Sequence, residues 1–76
     1  MSDPHPNEGR EVSQILWPSD PDGSFRTLHT SAQSSLRFHS EYLGDHSENW
    51  IVEISGGIEI SRHNTRFIES IVWIES

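Results

Sequence analysis

TLHTSAQSSLRFHSEYLG, residues 27–44, supports two incompatible readings, and the fold class turns on which one holds. Leu28, Ala32, Leu36, His39 and Leu43 fall at i, i+4, i+8, i+11 and i+15, one stripe of an α-helix. Thr27 stands where a helix N-cap belongs, and Gly44 where the left-handed residue beyond a helix C-terminus belongs. The rival reading takes Leu36 and Phe38 as strand alternation but leaves Ala32 and Leu43 unaccounted for. A helix is therefore the expected state of this stretch.

Downstream, Asp45–Asn49 reads as a loop, and the runs Trp50–Ser55 and Ile58–Arg62 flank Gly56-Gly57, a strong hairpin signal. A two-residue turn would pair Ile54 with Glu59 and mix the faces. A three-residue loop of Ser55, Gly56 and Gly57 pairs Ile54 with Ile58 and Val52 with Ile60, so it is the expected register, with Gly57 left-handed in a bulge. His63-Asn64-Thr65 reads as a second tight connection and Arg66–Ile74 (RFIESIVWI) as the last strand of a three-stranded meander, in which Ile60 faces Ile68 and Glu59 faces Glu69. Upstream, Glu11–Trp17 (EVSQILW) reads as a strand stopped by Pro18. Ser19–Gly23 is a dense turn signal, and Ser24–Arg26 a short strand pairing back on the first. Met1–Gly9 holds two prolines, a glycine and polar residues and reads as a disordered tail.

The expected architecture is thus α+β: one domain over residues 10–76 behind the tail 1–9, with an antiparallel sheet of four to five strands packed against one helix. In the expected register Trp50, Val52, Ile54, Ile58, Ile60, Ile68 and Val72 face the helix. The opposite face carries Ile51, Glu53, Glu59, Ser61, Phe67, Glu69, Ile71 and Trp73. That face would hold a carboxylate row, Glu53 beside Glu59 beside Glu69, with Arg62 and Arg66 near enough to relieve it, and an apolar group of Phe67, Ile71 and Trp73. Like charges opposed on a sheet are unfavourable, and monomers seldom leave such apolar groups uncovered, so these eight residues form the expected partner-binding face. The competing reading has another element of the same chain cover it.

Composition narrows the chemistry. The chain has 76 residues, of which 32% are hydrophobic, enough for one core and no second lobe to close a deep cleft. Twelve acidic residues against five basic ones give a net charge of -7, which disfavours direct binding of nucleic acid or an anionic membrane. All five basic residues are arginine, so Schiff-base chemistry and a phosphate-loop lysine are absent. The absence of cysteine excludes disulfides, thiolate metal sites and thiol nucleophiles. No apolar run approaches the roughly 18 residues of a membrane span, and Met1–Arg10 has no apolar stretch of the signal-peptide kind, so a cytoplasmic protein is the default expectation.

His29, His39, His46 and His63 show no ligand spacing, no nucleophile motif surrounds any serine, and Gly56-Gly57 leads into a strand rather than a helix. No catalytic site, metal or cofactor is expected. The expected function is a non-enzymatic protein-interaction module, self-associating as a homodimer or binding another protein through the uncovered sheet face or the last strand. The alternative is an acidic decoy that inhibits a nucleic-acid-handling protein by occupying its basic groove.

Overall fold

The computed structural model describes residues 5–75. They form β1 (Glu11–Leu16), β2 (Thr27–His29), β3 (Ser35–Leu43), β4 (His46–Ser55), β5 (Ile58–Asn64), a single 3-10 turn (Thr65–Phe67) and β6 (Ser70–Trp73). Every pairing is antiparallel. β1 is the hub, with β2 and β3 in series along one edge and β6 along the other, while β4 and β5 follow β3 as successive hairpins. The sheet curls into a half-barrel.

The expected α+β fold is therefore corrected to all-β, because residues 27–44 form β2, a turn and β3 rather than a helix. Leu28, Ala32 and Leu36 are four apart, a spacing that also keeps residues on one side of a period-2 strand, so those matches could not separate the two states. Positions 37 to 39 do separate them. Leu36 and Phe38 are buried while Arg37 is exposed, the alternation of a half-buried strand. Ala32 sits in a turn where Ser31 Oγ accepts from the Gln33 and Ser34 amides at 3.1 and 3.2 Å. Gly44, read as a helix stop, is the first residue of a two-residue turn joining Leu43 to His46, and its φ of +78° is the type II′ requirement.

The second correction concerns register. Gly56 and Gly57 have φ of +60° and +80° and close a two-residue turn of the type I′ kind, pairing Ser55 with Ile58 and Ile54 with Glu59. The face mixing that this turn would cause is repaired one step later, because Ile60 is an extra residue and Glu53 next pairs with Ser61. β1 uses the same device. An extra residue between Val12 and Gln14 lets Val12 and Ile15, three apart, both turn inward and become fully buried.

The meander is also corrected, since the last strand leaves β5 and pairs with β1, Leu16 opposite Ser70 and Ile15 opposite Ile71. The redirection begins at Asn64, whose side-chain oxygen accepts the Arg66 amide at 2.9 Å and starts the 3-10 turn. The Glu69 amide then donates to Leu16 O at 2.8 Å. The strand paired with the start of the chain is Thr27–His29, just beyond the expected Ser24–Arg26.

Val12, Ile15, Leu36, Phe38 and Ile51 make the buried core, with Trp17, Leu28, Ile68, Ile71 and Trp73 packed around it. Each such side chain contributes on the order of 1.5 to 3 kcal/mol by leaving water. The concave face is thus the core face; of the residues assigned to a helix-covered face, Ile58, Ile60 and Val72 are exposed, while Val52 is buried and Ile68 packs on the core. Of the expected tail, Met1–Pro4 lies outside the described residues. Residues 5–9 make a turn bonded to β3: the Gly9 amide donates to Phe38 O at 2.8 Å, and the His5 ring lies 4.8 Å from that of Phe38. Glu8 Oε1 accepts the Ser40 amide at 2.8 Å, occupying the edge of β3 where β1 has not yet begun.

Candidate functional site

The two bulges decide which side chains meet. In β5, Glu59 pairs with Ile54 and Ser61 with Glu53, so residues two apart point to opposite faces. Glu59 and Arg62, three apart, consequently share the convex face, where Arg62 Nε and Nη2 each donate to the Glu59 carboxylate at 2.9 Å. Arg62 also reaches Glu41 at 3.4 Å and lies 5.3 Å over the Trp50 ring. The hydrogen bond from Arg62 holds the Glu59 carboxyl below the usual carboxylate range.

The eight expected partner-binding residues do not assemble into one patch. Ile71 and Trp73 pack on the core, as the competing reading had it, covered in part by Arg10, whose guanidinium lies 4.4 Å over the Trp73 ring. Phe67 remains 64% exposed in the 3-10 turn. The carboxylate row dissolves: Glu53 faces the concave side and accepts from Ser61 Oγ at 2.8 Å, Glu59 faces the convex side, and Glu69 lies beyond β5 altogether. Arg66 pairs with Glu48 at 2.6 Å, and Asn64 Nδ2 donates to the same carboxylate at 3.0 Å. The Asn64 hydrogen bond, then Arg66, hold the Glu48 carboxyl below its ordinary value.

Several large apolar side chains in the last third of the chain remain open. Among the described residues β5 pairs only with β4 and β6 only with β1, at opposite ends of the sheet, so each presents one unpaired edge. On β5 Ile58 is 68% exposed and Ile60 57%, on β6 Val72 is 50% exposed, and Phe67 lies between the two strands in sequence. Half of an isoleucine or phenylalanine left in water is surface that a partner can remove.

On the concave side the structure brings together five residues, of which only Glu53 and Ser61 were expected on one face. Trp17, just past β1, meets the His63 ring edge-on with centroids 5.2 Å apart, and the Arg26 guanidinium lies 4.0 Å over the same indole. Ser61 Oγ lies 3.2 Å from His63 Nε2 while donating to Glu53. Burial first, and Arg26 second, push the His63 imidazole below its ordinary value, with Glu53 opposing them. His63 was missed because His63-Asn64-Thr65 reads as a turn, whereas β5 runs on to Asn64.

The other histidines are dispersed: His39 Nδ1 lies 3.2 Å from Glu8 and His46 Nδ1 2.8 Å from Asp45. Among the described residues no three histidine, aspartate or glutamate side chains converge as metal ligands. Among the same residues no helix is long and apolar enough to cross a membrane.

By fold and surface the chain is a small antiparallel half-barrel with exposed apolar side chains on end strands that each keep one unpaired edge. Comparison with protein families, with curated proteins and with solved structures finds no match.

Proposed function

We propose that this chain is a non-enzymatic protein-interaction module that self-associates through the unpaired edges and exposed apolar side chains of β5, the 3-10 turn and β6. The observation that carries the reading is the exposure of Ile58, Ile60 and Val72 on strands with an unpaired edge and of Phe67 in the 3-10 turn between them in sequence. Unpaired edges supply backbone donors and acceptors, and the apolar side chains supply the area that makes pairing favourable. Partner-binding roles within the expected set rest with Phe67, and with Arg62 and Arg66 at the rim.

The acidic-decoy alternative gains no support, because Glu11, Glu41, Glu48 and Glu59 each share an arginine and do not form a bare anionic surface. The test is solution mass by light scattering over a concentration series. A mass that rises toward twice the monomer, and that Phe67→Ser with Ile60→Ser returns to the monomer without lowering the melting temperature, supports the reading. A monomer at every concentration overturns it.

A further inference from the structure

β1 and β5 are not strand neighbours; β3 and β4 lie between them in the sheet. The curl nevertheless brings the end of one against the other, and the Trp17–His63 contact closes that seam. Trp17 is held from its own side by two links to Arg26: its amide donates to Arg26 O at 3.0 Å, and the guanidinium covers its ring. His63 is held from the opposite side. Because the Ser61 hydroxyl proton goes to Glu53, the Ser61 oxygen accepts from His63 Nε2–H, which selects the neutral tautomer carrying its hydrogen on that nitrogen.

We propose that this seam is a proton-operated latch, in which protonation of His63 releases Trp17 and parts β1 from β5 while the strand pairings stay intact. The charged groups facing the ring are Arg26, from the segment before β2, and Glu53, from β4. A second cation on His63 would stand across a single indole from Arg26, in a half-buried place where charge is poorly solvated. Glu53 touches the ring only through the Ser61 hydroxyl, so its attraction is the weaker influence, in line with the lowered imidazole. Closed, the seam holds the imidazole below its ordinary 6.5, and opening relieves both its burial and the Arg26 charge. The open form therefore gains as pH falls below that value, by at most about tenfold per pH unit for one proton, and is independent of pH above it.

The experiment is proton and nitrogen NMR on the full chain from pH 8 to pH 4.5, with Trp17 assigned by Trp17→Phe. Observed together are the His63 ring protons, the Trp17 indole N–H and the Trp17 ring protons. The expected result is one shared midpoint below 6.5 for all three, with the Ile15 amide still protected. Arg26→Gln, at an exposed position, should raise that midpoint, and His63→Phe should leave the Trp17 signals flat with pH. Titration of His63 without any response at Trp17 overturns the latch, as does a Trp17 transition that survives in His63→Phe or is unmoved by Arg26→Gln.

Discussion

At the scale of single residues, each of the three tryptophans carries an arginine over its ring: Arg10 on Trp73, Arg26 on Trp17 and Arg62 on Trp50. A domain this small cannot bury three indoles, and the guanidinium plane covers an aromatic face while keeping its charge in water. Trp50 shows the limit of that arrangement, since its Nε1–H is buried without an acceptor. An unmet buried donor costs about 1 to 3 kcal/mol, so Trp50→Phe should lose less stability than an ordinary buried aromatic substitution, whose truncation costs about 3 to 5 kcal/mol. Urea unfolding decides: a loss as large as that of Trp73→Ala would mean that the indole nitrogen has a partner. Ile15, fully buried where β1 meets both β2 and β6, should cost about 2 to 5 kcal/mol as Ile15→Ala. A change under about 1 kcal/mol in the same measurement would remove Ile15 from the core.

Among the elements, the hairpin around Gly56-Gly57 was legible because two adjacent glycines between β-branched runs have few other uses. β1 was legible from EVSQILW and the proline that stops it. The bulges were not, since an extra residue such as Ile60 leaves no mark in composition and only shows when the neighbouring strand's register is known. Val12 and Ile15, three apart, do not alternate and look like a poor strand for the same reason. Nor was the partner of β6 legible, because its pairing with β1 spans nearly the whole chain and no local pattern encodes it. The expected contact face failed through these two causes together, and Ile71 and Trp73 turned out to face the core. The type I′ turn makes its own prediction. A β-carbon at Gly57 meets nothing within 4 Å, so Gly57→Ala isolates the backbone cost of the left-handed conformation, about 1 to 2 kcal/mol. Gly57→Asn should recover much of that loss in thermal melts, and an alanine variant as stable as the wild type would contradict the turn type.

For the whole molecule, acid acts in one direction. His63 is lowered in the fold, so the unfolded chain takes that proton first and stability falls as pH drops below 6.5. Glu8, Glu48 and Glu59 are also lowered, so the stability they contribute is present above their ordinary 4.5 and is lost as pH falls through their folded values. Chemical unfolding midpoints should decline in two steps between pH 7 and pH 3, and His63→Phe should remove only the first. A single step near pH 4 in the wild type would show that His63 is not coupled to folding. Salt separates the functional readings. Two copies carrying a net charge of -7 repel, and raising ionic strength shortens the roughly 8 Å screening length of physiological salt, so self-association should tighten with added salt. Binding of an acidic decoy to a basic groove would weaken instead.

The carboxylate of Glu8 has a bearing on behaviour in concentrated solution. It occupies a backbone donor of β3 at Ser40, where the strand runs beyond the start of β1 and its edge has no neighbouring strand among the described residues. One side chain there does the work of a missing strand, and an uncapped edge is a template on which further chains can add. Shortening the chain past Glu8, or Glu8→Ala, should therefore show itself less in the melting curve than in the lag time before fibrils bind thioflavin. Equal lag times for variant and wild type would mean that nucleation starts elsewhere.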